Sequence, residues 1–153
     1  MELYVGIDVG RNSLEIFQSN KSESYTRANS VSGCRRLAKS LKNVEAQLVV
    51  LEASGGYEKG IVLALREVNI AVSVQHPSRI RQFAKAMGVV AKTDPIDARV
   101  LCEFAEKIKP SPSIEKTANE MRLDALVSRR EQLVEIIARE KNHLKEPHLH
   151  KDV

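Results

Sequence analysis

The chain has 153 residues, a formal net charge of +4 and a pI near 9.1, which allows one cored domain plus an appendage and suits polyanionic partners. Three Tyr, three Phe and no Trp leave little for stacking on single-stranded bases. No run approaches the ~18 apolar residues of a membrane span, and MELYVGIDVG has neither region of a signal peptide, so a soluble, cytoplasmic chain is expected.

Leu3 to Val9 (LYVGIDV) is a short β-rich run with Asp8 near its end and Gly10 behind it. Ser13 to Gln18 alternates polar and apolar residues, as a half-buried strand does. Glu23 to Ala28 supplies a third strand, and the three predict an antiparallel meander. Asn29-Ser30 opens a helix in which Val31, Cys34, Leu37, Ala38 and Leu41 keep helical spacing, with Arg35, Arg36, Lys39 and Lys42 on other faces. Gln47 to Leu51 is continuously apolar, as in a strand covered on both sides. It runs into Glu52-Ala53-Ser54-Gly55-Gly56-Tyr57, where the glycines permit a tight strand-to-helix turn. Glu58 to Val68 reads as a helix, Ile70 to Val74 as a buried strand and Ser78 to Met87 as a helix. Gly88 to Lys92 reads as a link, and Asp94 to Ile108 as the next helix. Cys34 and Cys102 stand far apart without CxxC spacing, so both read as small hydrophobes in a reducing compartment.

Lys109-Pro110-Ser111-Pro112-Ser113 reads as a linker. The next stretch, from Thr117 to Lys145, holds no Gly or Pro. Its Leu123, Leu126, Leu133, Ile137 and Leu144 keep a 3/4 spacing, about four heptads of one long helix with a coiled-coil signal. The expected organisation is a catalytic domain over 1–109, a linker over 110–116, the start of a coiled-coil helix over 117–146 and a tail over 147–153. The helix is expected to mediate self-association.

Four acids stand out. In Lys92-Thr93-Asp94-Pro95-Ile96-Asp97-Ala98-Arg99, Asp94 reads as a helix N-cap and Pro95 as the first helical residue, with Asp97 on the first turn. Helix capping explains this pair by the macrodipole, and shared coordination of a divalent metal ion explains it as well. Asp8 and Glu52 stand at the ends of two predicted strands, which can lie side by side in a mixed sheet. A carboxylate at a buried strand end is costly unless paired or ligated. Asp8, Glu52, Asp94 and Asp97 together form an oxygen-only set that suits Mg2+ or Mn2+, and such ions act at phosphodiesters. Arg79, Arg81, Lys85, Lys92 and Arg99 form a basic segment beside them, readable as a solvated face or as a grip on phosphates. Tyr57 reads as a packed aromatic and His76 as a satisfied histidine.

GIDVG, LEASGGYE and KTDPIDA, in that order and spacing, resemble the DEDD-type transposases of RNA-guided insertion elements. The Piv-type DNA invertases and, more distantly, the RuvC Holliday-junction resolvases are similar. Residues 126–133 (LVSRREQL) resemble the approach to that family's coiled coil, and the likeness covers residues 1 to about 145. The resemblance implies an RNase H-like (RuvC-like) α/β domain with a mixed five-stranded sheet and flanking helices. It implies a metal-dependent tetrad of Asp8, Glu52, Asp94 and Asp97, and DNA and a guide RNA as partners. The resemblance implies that a serine nucleophile comes from a second domain, which is expected to lie outside these 153 residues. The expected function is that of a metal-dependent catalytic domain of a site-specific DNA transposase or recombinase. The alternatives are a free-standing RuvC-like nuclease and a non-catalytic nucleic-acid-binding or dimerisation remnant.

Overall fold

The computed structural model describes residues 2–89, 94–114 and 118–144; the side chains of Asp94, Pro95, Ala118, Met121, Asp124 and Ser128 are outside it. The expected link over Gly88 to Lys92 and the tail over 147–153 therefore lie partly or wholly outside the described residues. The chain divides into two compact units, Met1–Ser113 and Ile114–Val153.

The first unit is a five-stranded mixed sheet with helices on both faces. Its strands are β1 (Leu3–Val9), β2 (Ser13–Gln18), β3 (Tyr25–Ala28), β4 (Ala46–Glu52) and β5 (Ala71–Gln75), in the order β3-β2-β1-β4-β5. The β1–β2 and β2–β3 pairs are antiparallel, whereas β1–β4 and β4–β5 are parallel. The expected meander is present, and the continuously apolar run Gln47 to Leu51 falls in β4, whose side chains enter the core on both faces of the sheet. Helix α1 (Val31–Asn43) leads from β3 to β4, α2 (Lys59–Glu67) joins β4 to β5, and α3 (Pro77–Ala86) and α4 (Asp94–Ile108) follow β5.

Side chains alternate across a strand, and this period divides the core in two. Val5, Ile7, Val9, Leu14, Ile16, Val49, Leu51 and Val72 face α1 and α2, where they meet Cys34, Leu37, Leu41, Ile61 and Leu65. Tyr4, Leu48 and Val50 face the other way, onto Ile80, Val100, Leu101, Phe104 and Ala105 of α3 and α4. The Phe83 and Phe104 rings meet edge to face at 5.2 Å between centroids, a favoured aromatic geometry. Helix α4 lies across β1 and also packs on β2 and β4.

The proline-rich stretch after α4 is tied to the edge of β5. Ser113 N donates to the Val72 carbonyl at 2.8 Å, Val74 N donates to Ser113 Oγ at 2.8 Å, and Ser73 Oγ donates to the Ser111 carbonyl at 2.9 Å. Pro110 is buried. These bonds occupy backbone groups that an edge strand otherwise exposes. The second unit contains α5 (Ala118–His143), a single helix. Its Leu123, Leu126, Val127, Leu133, Ile136 and Ile137 are exposed.

Candidate active site

The strand parity that builds the core also aims two acids. Gly6 pairs with Val50 and Ile7 with Leu51 across the parallel β1–β4 ladder, so one further step brings Asp8 level with Glu52. Both acids belong to the alternate set that faces α3 and α4. They stand at the C-terminal ends of adjacent parallel strands, the end where open α/β sheets present their sites. Helix α4 brings the third acid, since Asp97 lies in its first turn.

These three acids line one cavity of about 500 Å3. Arg81 and Lys85 of α3 line the same cavity, and Ile80, Ala84, Val100 and Leu101 supply apolar wall. Acids on the sheet side and on α4 thus face cations on α3 across one space. Asp94 begins α4, but its side chain is outside the described residues, as is Lys92.

The five expected basic residues separate into different settings. Arg81 and Lys85 line the cavity. Arg79 instead donates to Gln75 Oε1 at 2.9 Å and lies 5.3 Å over the Phe104 ring. Arg99 pairs with Glu103 at 3.2 Å and covers the Phe17 ring at 5.8 Å. Both are held by neighbours on their own domain. Tyr57, expected to be packed, is 50% exposed, because the turn before α2 carries it outward. His76 is satisfied as expected: its Nδ1 accepts from Ser78 N and caps α3.

Two further polar residues share the row of the acids. Glu15 pairs with Asp8 across β1–β2, and Gln75 pairs with Glu52 across β4–β5. The Glu15 carboxylate accepts from the hydroxyls of Ser24 and Thr26, so it leans toward β3. Gln75 is buried and donates to Ser73 Oγ at 2.7 Å. Sequence reasoning missed both, because their significance depends on strand register. The alternation of SLEIFQ does put Glu15 on the face opposite Leu14 and Ile16.

The turn after Glu52 is held by Glu58. Burial alone raises this carboxyl's pKa. Donation from its own backbone N–H, together with Ser54 Oγ (2.9 Å), Ser54 N (3.1 Å) and Gly56 N (2.9 Å), outweighs it, so the net pKa lies below the ordinary 4.5. Gly55 and Gly56 have φ of 69° and 109°, which a side chain disfavours. The turn is therefore built for tightness, as the sequence suggested. Neither cysteine is suited to nucleophilic chemistry near neutral pH. Burial, with Glu106 and Glu103 nearby, pushes the Cys102 thiol up to about 12, and burial also raises Cys34.

The donor chemistry of Asp8, Glu52 and Asp97 suits a hard divalent cation. Their described arrangement falls short of a formed centre. Among the described residues no group of three or more His, Cys, Asp or Glu side chains is drawn together tightly enough to hold a metal ion.

The profile of a transposase family, DEDD_Tnp_IS110, matches residues 5–150. The chain belongs to this transposase family. It is 28% identical over 134 residues to the pilin gene-inverting proteins of Moraxella lacunata and Moraxella bovis, covering 84% of this chain and 42% of each relative. The chain thus spans less than half the length of these curated relatives. Two solved structures share the fold. Thermus thermophilus RuvC in complex with a Holliday junction substrate aligns with a TM-score of 0.54 at 14% identity, covering 74% of this chain and 100% of that one. A second T. thermophilus RuvC structure aligns with a TM-score of 0.51 at 15% identity, covering 73% and 99%. The sheet and its flanking helices are RuvC-like, within a transposase family. No helix among the described residues is long and apolar enough to cross a membrane.

Proposed function

We propose that this chain is the metal-dependent catalytic domain of a DNA transposase or invertase, handling the phosphodiester at the cavity between α3, α4 and the ends of β1 and β4. The observation that carries the reading is the meeting of Asp8, Glu52 and Asp97, from three separate elements, in one cavity that Arg81 and Lys85 also line. Asp94, at the start of the same helix as Asp97, completes the proposed tetrad. These four residues would hold Mg2+ or Mn2+. Such an ion, when bound, supplies polarisation of a phosphoryl oxygen. Arg81 and Lys85 would bind the non-bridging phosphate oxygens and offset the repulsion between phosphate and carboxylates. The apolar wall of Ile80, Ala84, Val100 and Leu101 would limit water around the reacting group. In this reading the serine nucleophile comes from a second domain of the kind the family carries.

Family membership also motivates two partners, a guide RNA and a second copy of the chain through the exposed apolar residues of α5. Sedimentation of the chain beside Leu126→Glu/Leu133→Glu tests the second: a dimer should become a monomer.

Calorimetric titration of Mn2+ into the chain, beside Asp8→Ala and Asp97→Asn, tests the tetrad without relying on activity. Binding that disappears in both variants is the expected result. Absence of binding in the wild type, with and without duplex DNA present, overturns the metal reading. A free-standing nuclease is a second reading, favoured by the alignment over all of one RuvC chain. It expects the isolated chain to nick branched DNA with Mg2+, using water as the nucleophile.

A further inference from the structure

Helix α1 carries Arg35, Arg36, Lys39 and Lys42 and no acid between Val31 and Asn43. At about 100° per residue these four cations fall within an arc of about 120°. The arc lies opposite the buried stripe of Cys34, Leu37, Ala38 and Leu41. All four are exposed, and no ion pair among the described residues includes any of them. Glu67 of α2 shares a small groove with Arg35, and Glu45 follows the helix. Neither pairs with the stripe.

The helix does not need this pattern to fold. Its N-cap is made by Ser30, which accepts from Gly33 N at 3.1 Å, and its buried stripe anchors it to the sheet. Arg35 and Lys39 are like charges at i,i+4, a spacing that weakens a helix. Helix α4 shows the ordinary arrangement: Glu103 lies between Arg99 and Lys107 and pairs with both, at 3.2 and 3.4 Å.

The stripe also lies on the far side of the sheet from the cavity. Helix α1 packs on the face of Val5, Ile7 and Leu14, whereas Asp8 and Glu52 belong to the opposite face. A polyanion on α1 is therefore a different segment from one at the cavity. We propose that α1 is a second DNA-binding face that holds the sugar–phosphate backbone of a duplex. Arg35 to Lys42 spans about 10 Å of helix axis, and a duplex carries a charge every ~1.7 Å, so several phosphates come within reach. The stripe has no aromatic side chain on which bases could stack, which favours a duplex over a single strand. The choice of DNA rests on the function proposed above, in which the chain acts on DNA.

The test is fluorescence anisotropy of the full chain with a short labelled DNA duplex and with an RNA stem-loop, over a salt series. Arg36→Ala/Lys39→Ala/Lys42→Ala is compared with Lys39→Arg/Lys42→Arg and with the cavity variant Arg81→Ala/Lys85→Ala. Circular dichroism and thermal melting check that each variant is folded. The triple variant should weaken duplex DNA binding roughly tenfold or more at low salt and flatten the log–log salt slope by up to about 3. The arginine variant should keep binding, and the cavity variant should keep the component that depends on α1. Unchanged duplex affinity in the triple variant, or a loss confined to the RNA stem-loop, overturns the proposal. Mn2+ titration separates the two readings: the triple variant should bind Mn2+ as the wild type does while losing duplex affinity, whereas absence of Mn2+ binding in the wild type counts against the cavity reading alone.

Discussion

Gly6 has no side chain because α4 occupies the place where one would sit. A Cβ built there lies 2.1 Å from the Ala98 carbonyl oxygen and 2.3 Å from Cys102 N, and both obstacles are backbone. The absent methyl lets α4 approach β1 closely enough to carry Asp97 to the cavity that Asp8 lines. Gly6→Ala must push the helix outward and should cost about 3 kcal/mol or more, read from urea unfolding; an unchanged midpoint would show that α4 is not seated this way. Glu58 makes a second prediction. Its folded pKa lies below 4.5, so its contribution to stability is present above the ordinary carboxylate range and is lost as pH falls through the folded value. Wild type should therefore exceed Glu58→Gln in stability at neutral pH. That gap should close on acidification, as followed by denaturant unfolding over a pH series.

At the scale of elements, the meaning of a charged residue depends on what its helix packs against. The cations of α4 alternate with Glu103 and brace the helix, those of α3 divide between the cavity and Phe104, and those of α1 stand together. The segment behind α4 is a similar case. Read as a linker, Lys109 to Ser113 is a spacer. In the fold, Ser111 and Ser113 bond to β5, and the Ser113 carbonyl accepts from Arg66 at 2.9 Å. A relay then runs from Ser111 through Ser73 and Gln75 to Arg79, beside the strand end that holds Glu52. Ser113→Ala leaves Val74 N without its acceptor and should cost about 1–2 kcal/mol. Amide exchange at Val74 should quicken, and an unaltered exchange rate there would argue against the attachment.

For the whole molecule, the net charge of +4 is less informative than its distribution. Acids gather at one end of the sheet on one face, and cations gather on α1 behind the other. A ligand that binds only the folded state stabilises it by mass action. If Asp8, Glu52, Asp94 and Asp97 form one site, Mn2+ at a hundredfold excess over its Kd should add about 2.7 kcal/mol. Differential scanning calorimetry should show a rise in Tm that Asp8→Ala abolishes. A rise of equal size in that variant would place the ion elsewhere.

Much of this protein can be read from residue order alone. Apolar periodicity marks the strands and helices, because burial selects for period 2 or 3.6 along the chain. GIDVG, LEASGGYE and KTDPIDA carry enough local chemistry to mark the four acids and to suggest the family. What the order of residues leaves open depends on contacts between distant segments. Register across β1 and β4 brings Asp8 level with Glu52 and adds Glu15 and Gln75 to their row. The close seat of α4 on Gly6 brings in Asp97. The packing of Phe104 and Phe17 withdraws Arg79 and Arg99 from the basic segment, while Arg81 and Lys85 remain at the cavity. The paired edge of β5 turns a proline-rich spacer into part of the domain. A local pattern records which face of an element is apolar, but only tertiary packing decides what that face, or its polar opposite, will meet.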